Sequence, residues 1–189
     1  MVSRPGGLVP AVFLDRDGVI VVPEFRDQRS FAPRRLADFR LYPDAATSLQ
    51  RLKRAGFLLA VVTNQPDVGN GLVARSEVDA MHEIMTRELP VDAVKACFHS
   101  QGDRCDCRKP KPGMILEAAT ELGIDLAQSF MVGDRRSDVE AGHAAGCTTV
   151  FIDLGYAEPA PDAPDFVVHS IVQAADVIIE SMSRTQRAS

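Results

Sequence analysis

Short, largely apolar runs rich in β-formers alternate with segments of helical period along almost the whole of this 189-residue chain, and that alternation limits its fold more than any other feature. The runs are Ala11 to Leu14, Phe57 to Val62, Val94 to Phe98, Ser129 to Val132, Thr148 to Ile152 and Phe166 to Val168. Apolar runs of strand length bounded by turn residues mark strands buried on both faces, as in a parallel sheet. Between them the helical segments are equally legible. From Pro43 the positions Ala45, Leu49 and Leu52 recur at helical spacing until Gly56; Ser76 reads as the N-cap of a helix carrying Val78, Met81, Met85 and Leu89 on one face. Met114 to Leu122 ends at Gly123 and Val139 to Ala145 ends at Gly146. A last helix is expected from Ile171 to Met182, with Val172, Ala175 and Ile179 on one side and a fraying tail beyond it. Strands alternating with helices predict an α/β fold, Rossmann-like, whose parallel sheet carries helices on both faces through right-handed crossovers.

The length suits one domain with a sizeable core. With 46% hydrophobic and 25% charged residues the composition is that of a soluble globular protein. A net charge of -5 argues against nucleic acid or an anionic membrane as partner. No run approaches a membrane span, and Met1 to Pro10 lacks the charged-then-apolar pattern of a secretory signal, so the expected location is the cytoplasm. The four cysteines are then expected as thiols or metal ligands rather than disulfides.

In open α/β sheets ligands gather at the carboxyl ends of the strands. The first strand ends in Asp15-x-Asp17-Gly18, two acids one residue apart before a glycine break; the second ends at Thr63-Asn64-Gln65. Arg108 and Lys109 sit in the loop before the third helix, and Asp134 ends a later strand with Asp138 one helical turn on. Carboxylates at two strand ends can share a hard cation, and a hydroxyl with a lysine can hold phosphate oxygens. A carboxylate beside a phosphorus held by that cation is a competent nucleophile. Together these groups describe a phosphoryl-transfer site.

A second constellation is Cys97-x-His99 followed by Cys105-x-Cys107. Three thiolates and one imidazole match a closed, tetrahedral, structural Zn²⁺ site, with a transient disulfide as the alternative. Cys105 and Cys107 lie among Gly102, Asp103, Arg104, Asp106 and Arg108 and have no core to enter, whereas Cys147, before a strand, reads as a core residue. The zinc would pin the loop carrying Arg108 and Lys109.

The four motifs Asp15-x-Asp17-Gly18, Thr63-Asn64-Gln65, Lys109-Pro110 and Gly133-Asp134-x-x-x-Asp138 stand in the order found in phosphatases of the haloacid dehalogenase-like hydrolases, which the chain resembles from about Ala11 to Asp153. That resemblance implies Asp15 as nucleophile, forming an aspartyl-phosphate, and Asp17 as general acid and then base. It implies Mg²⁺ on Asp15, the backbone carbonyl of Asp17 and Asp134. Thr63, Asn64 and Lys109 would bind the phosphate, and Asp138 would orient the lysine or metal waters. The zinc loop with Cys107-Arg108-Lys109-Pro110 is similar to the branch of D-glycero-D-manno-heptose 1,7-bisphosphate phosphatases and histidinol phosphatases, which implies Arg108 and Arg135 as substrate contacts. The expected reaction is hydrolysis of a sugar phosphate in surface polysaccharide precursor synthesis, with the protein a monomer. Val19, and Val21-Val22-Pro23 after the first motif, depart from the usual pattern.

No cap domain is expected, since only loops and single helices separate the motifs. Val21 to Leu41 reads as a long loop carrying Arg26, Arg29, Arg34, Arg35 and Arg40. Those arginines are either solvated surface or the cations of a second phosphate. The rival activities are a histidinol-phosphate phosphatase, a polynucleotide 3′-phosphatase, against which the acidic charge speaks, and a family member that binds phosphate without turnover.

Overall fold

The computed structural model of the chain describes residues 7–26 and 29–188. Its main sheet has six parallel strands: β1 (Ala11–Leu14), β4 (Leu58–Asn64), β5 (Ala93–Cys97), β6 (Phe130–Gly133), β7 (Thr148–Ile152) and β8 (Phe166–Val168). Their order is β5-β4-β1-β6-β7-β8. The chain therefore builds outward from β1 in one direction through β4 and β5, then returns and builds in the other. The reversal opens a crevice at the carboxyl end of β1, the place where such sheets bind ligands.

Burial follows from the alternation of strand side chains. Val12 and Leu14 of β1 join a core layer with Leu49 of α1 (Ala45–Arg54), Met81 of α3 (Arg75–Glu88) and Ile178 of α6 (Ile171–Ala188). Ala11 and Phe13 join the opposite layer with Ile115 of α4 (Gly113–Leu122) and Ala141 of α5 (Arg136–Ala145). All four β1 side chains are fully buried, which is why this strand carries no polar face. Helices thus cover both faces, as the alternation of elements predicts. Among the described residues, no helix is long and apolar enough to cross a membrane.

Three expectations need correction. Val21 to Leu41 is not a plain loop: β2 (Glu24–Arg26) and β3 (Arg29–Phe31) form an antiparallel hairpin, and a short 3-10 turn follows at Leu36–Asp38. Three-residue strands leave too little alternation to be read. Ser76 is not a cap, because α3 begins a residue earlier and Ala74 occupies the cap position without a side-chain hydrogen bond. On α6 the fully buried stripe is Ile171, Ala174, Ala175 and Ile178, one residue off the expected one, and the helix continues through Ala188. The apolar residues of this helix span more than one face, so the stripe could not be phased by hydropathy alone. A further short helix, α2 (Pro66–Gly69), follows β4 directly. The start read from Met1 to Pro10 lies, through residue 6, outside the described residues.

No inserted domain separates the motifs among the described residues: the hairpin, the 3-10 turn and α1 lie between the first and second, and α2, α3, β5 and the cysteine loop between the second and third.

Candidate active site and metal centres

Asp15 follows the last residue of β1, and its backbone N–H bonds the carbonyl of Val132 in β6, so the strand pairing itself fixes where the carboxylate emerges. Its Oδ1 accepts from the backbone N–H of Arg16 at 2.7 Å and lies 2.9 Å from Lys109 Nζ. The Lys109 ammonium also meets Asp138 Oδ1 at 2.7 Å and donates to the carbonyl of Val62 at 2.7 Å. Burial alone would lower the Lys109 pKa, but the carboxylates of Asp138 and Asp15 outweigh it and hold the group above its ordinary value. The lysine is kept in place from behind. Asn64 Oδ1 accepts from the Lys109 backbone N–H at 3.1 Å and its Nδ2 donates to the Lys109 carbonyl at 3.0 Å, a two-bond clamp on the backbone.

Asp15, Asp134 and Asp138 present one oxygen each within 4.8 Å of one another, all buried. Lys109 is the one described cation in contact with these carboxylates, and Arg135, which also acts on them, is paired with Glu158, so the group keeps an excess of two negative charges. Both oxygens of Asp134 are buried without a hydrogen-bond partner. Burial first, then the charges of Asp15 and Asp138, push the Asp134 carboxyl well above the usual range; burial pushes Asp138 to about 6 in spite of Lys109. Unpaired buried carboxylates are expensive unless a cation joins them. The donor set is all oxygen and the missing charge is two, so a hard divalent cation such as Mg²⁺ fits. Gly18 makes room for this group: a Cβ there would stand 2.1 Å from Asp134 Oδ2, and its φ of +91° lies in the left-handed region.

Asp17 is held differently. Its carboxylate takes Arg16 Nε at 3.1 Å and Gln65 Nε2 at 2.8 Å, and the same Gln65 amide donates to Thr63 Oγ1 at 2.9 Å. Thr63 is buried at 1% exposure and reaches the site through Gln65. The cleft above these groups has a volume of about 300 Å³ and is lined by Asp15, Asp17, Asn64, Lys109 and Asp138. Arg29, Arg108 and Arg135 stand on its walls. Arg108 Nη1 is buried with no hydrogen-bond partner, a donor aimed at nothing the protein supplies.

Arg135 is engaged. Its Nη2 donates to the Ser30 carbonyl at 2.6 Å and Oγ at 3.0 Å, and Nη1 pairs with Glu158 at 3.2 Å. It latches the hairpin over the cleft, and Phe25 of the hairpin lies 5.7 Å from the Tyr156 ring. Of the other loop arginines, Arg34 pairs with Asp67, Arg35 with Asp38, and Arg40 donates to the Phe39 carbonyl. The side chain of Arg26 lies outside the described residues. The solvated reading therefore holds for Arg35, while Arg29 alone of the described set reaches the cleft.

The cysteine cluster forms as a unit. Cys97 Sγ is 3.8 Å from Cys105 Sγ and 3.5 Å from His99 Nδ1, and Cys107 Sγ is 3.3 Å from the same nitrogen. Ligands about 2.3 Å from one tetrahedral zinc would stand roughly that far apart, whereas a disulfide needs about 2.05 Å. All four cysteines are free thiols, and Cys147 is buried apart from the cluster. Burial and the neighbouring Cys97 and Cys105 push the Cys107 thiol up to about 12. These four residues could hold Zn²⁺.

Sequence reasoning did not single out Arg16 or His82, and it gave Gln65 no role of its own. The period-two pattern did contain Arg16: it continues the face of Val12 and Leu14 and is fully buried on that side, over Phe39. An arginine inside a charged turn simply reads as surface until the partners on other elements are seen.

A family model described as "HAD-hyrolase-like" matches residues 106–174. The D-glycero-beta-D-manno-heptose-1,7-bisphosphate 7-phosphatase of Escherichia coli K12 is 34% identical, with 94% of this chain and 98% of that protein covered. The protein of the same name from Rhodopseudomonas palustris is 39% identical over 72% of this chain and 79% of its own length. Among solved structures, the D,D-heptose 1,7-bisphosphate phosphatase of B. bronchiseptica complexed with magnesium and phosphate superposes with a TM-score of 0.74 at 27% identity, covering 91% of this chain and 99% of that one. With four motifs gathered at one sheet edge and a relative matching nearly end to end, the chain belongs to the haloacid dehalogenase-like hydrolases, as a phosphatase of the branch that holds these heptose bisphosphate enzymes.

Proposed function

We propose that the protein is a Mg²⁺-dependent phosphatase that removes the 7-phosphate of D-glycero-D-manno-heptose 1,7-bisphosphate, leaving the 1-phosphate for a surface polysaccharide precursor. The observation that carries the choice of substrate is the pairing of the Asp15–Lys109 centre with the unpartnered Arg108 in one cleft, in a chain whose relatives bear that enzyme name. A bisphosphate brings a second dianion, and a guanidinium binds one with two parallel hydrogen bonds.

In this reading Asp15 attacks phosphorus. Both contacts on its carboxylate fall on Oδ1, which leaves Oδ2 for the attack. Lys109 neutralises the transferring oxygens, Asn64 fixes Lys109, and Asp138 holds the ammonium from the far side. Thr63 supplies a hydroxyl to the same network through Gln65. Asp17 gives a proton to the leaving oxygen and later takes one from the water that hydrolyses the aspartyl-phosphate. Asp15, the carbonyl of Asp17 and Asp134 would hold Mg²⁺, whose charge offsets the repulsion between nucleophile and phosphate. Arg108 meets the second phosphate. Arg135, tied to Ser30, places the hairpin and adds charge to the wall. The reading carries with it a single domain acting as a cytoplasmic monomer on a small sugar phosphate, with no nucleic acid or membrane partner.

The experiment is a comparison of kcat/KM on heptose 1,7-bisphosphate, histidinol phosphate and a small generic phosphate ester. The bisphosphate should be cleaved far better than histidinol phosphate. Losing one charge-assisted contact costs about 1.5–3 kcal/mol, so Arg108→Ala should lower kcat/KM roughly ten- to a hundredfold on the bisphosphate and much less on the generic ester. Equal losses would place Arg108 on the transferring phosphate instead, and a preference for histidinol phosphate would replace the substrate.

Cys97, His99, Cys105 and Cys107 hold a structural Zn²⁺ in the same proposal. Lys111 braces that loop, donating to the Cys105 carbonyl at 2.7 Å and to Asp106 at 2.8 Å. Metal analysis of chelator-free protein should give one zinc per chain. Cys105→Ser should empty the site and lower kcat/KM roughly ten- to a hundredfold, because the loop that leads into Arg108 and Lys109 shifts, and misplacement by about 1 Å is enough for that. Complete zinc loss with unchanged kinetics would mean that other contacts position the loop.

A further inference from the structure

Arg16 performs no step in the reaction just described, yet among the described residues it is the largest side chain fully withdrawn from solvent. A buried guanidinium has to be compensated, and its partners show what it is for. Arg16 Nε lies 3.1 Å from both Oδ1 and Oδ2 of Asp17, and Nη2 lies 3.0 Å from Oδ1. Gln65 Nε2 donates to Oδ2 at 2.8 Å. One carboxylate therefore receives donors from two sides. Behind it, Arg16 Nη1 is 3.2 Å from His82 Nε2 on α3, so the arginine ties its own turn to a helix. Burial and the Arg16 charge lower the His82 pKa to about 4, which keeps the ring neutral and able to accept that bond.

We propose that Arg16, backed by His82 and Gln65, is a positioning residue for proton transfer by Asp17. The proposal rests on the phosphatase reading above. In the first half-reaction a bond forms between an Asp15 oxygen and phosphorus, the bond from phosphorus to the leaving oxygen breaks, and the proton of the Asp17 carboxyl passes to that oxygen. In the second, a water oxygen bonds phosphorus, its proton returns to Asp17, and Asp15 leaves as carboxylate. One carboxyl group serves both steps and must face the same point twice. Its side chain is 13% exposed, enough for one edge to meet the cleft while the fork of Arg16 fixes its plane. A lysine, as a point charge, could neutralise Asp17 but could not set that plane.

The test separates proton transfer from everything else by choice of leaving group. Dinitrophenolate departs from 2,4-dinitrophenyl phosphate without a proton, whereas the sugar alkoxide of heptose 1,7-bisphosphate needs one. In single-turnover measurements of the first half-reaction, Arg16→Gln should slow the sugar bisphosphate about a hundredfold and the dinitrophenyl ester less than about threefold. Arg16→Lys should lose about tenfold on the sugar substrate alone. Gln65→Met, which removes the donor to Asp17 Oδ2 and leaves the buried arginine in place, should show the same selective loss at about tenfold, and decides the matter if the Arg16 variants do not fold. Equal losses on the two esters, or none on either, would overturn the role. A wild-type protein that released neither product would remove the phosphatase reading, and this role with it.

Discussion

Asp15→Asn is expected to lower kcat for phosphate release by more than about a thousandfold while leaving the fold and its melting temperature nearly unchanged. The substitution keeps the shape of the side chain and replaces the oxygen that attacks with a neutral amide. Its surroundings tolerate the change: the backbone N–H of Arg16 still finds an acceptor in the amide oxygen, and Lys109 keeps Asp138 at 2.7 Å and the Val62 carbonyl. One negative charge leaves a group of three crowded carboxylates, so the folded state loses repulsion along with attraction. Acid-quenched wild-type protein mixed with substrate should carry phosphate on Asp15, detectable by peptide mass, and the variant should carry none. If Asp15→Asn kept more than about a hundredth of wild-type kcat, covalent catalysis at this residue would be untenable, because acid–base help alone is worth roughly that much.

The parts of this site differ in how far the sequence could disclose them, and the difference is physical. Asp15, Asp134 and the strand end at Thr63 were legible because each follows an apolar run, and the carboxyl ends of parallel strands converge by topology. The cysteine cluster was legible for the opposite reason: Cys105 and Cys107 lie in a polar loop with no core to enter, where a pair of thiols stands out. The hairpin over the cleft was not, since its strands have three residues each and its hold comes from Arg135, more than a hundred residues away in the chain. The same holds for the roles inside motifs. Asn64 was expected beside the phosphate as part of the Thr63-Asn64-Gln65 run; it lines the cleft, and its side chain also clamps both backbone groups of Lys109, a role the run does not show. Gln65, silent in that reading, is the residue that joins Thr63 to Asp17. Spacing along a chain says which residues reach the sheet edge; which of them touch is set by elements that arrive from elsewhere.

Asp134→Asn should abolish the response to Mg²⁺ and, in cation-free protein near neutral pH, raise stability. Both carboxylate oxygens of Asp134 are buried and unpaired beside Asp15 and Asp138. Burial above all, then those two charges, raise its pKa well above the ordinary carboxylate value, and burial takes Asp138 to about 6. A carboxyl whose folded pKa exceeds its unfolded one binds more protons when folded, so stability falls as pH rises. Without a cation, the wild-type protein should therefore lose stability as pH climbs from about 4, the unfolded carboxylate value, through about 6, where Asp138 titrates, and beyond, where Asp134 does. The amide has no charge to bury. Its advantage at pH 7 should be about 1–3 kcal/mol, the usual cost of a buried group left unsatisfied, read as about 2–4 °C in Tm per kcal/mol at this chain length. Adding Mg²⁺ should reverse the ranking, because binding to the folded state raises wild-type stability with the logarithm of cation concentration, and the variant has lost the negative charge that completes the set. Thermal melts of both proteins with chelator and with Mg²⁺, at pH 5 and pH 8, test every step. A wild-type Tm indifferent to Mg²⁺, or a variant less stable than wild type in chelator at pH 8, would mean that the three carboxylates are held by something other than a cation.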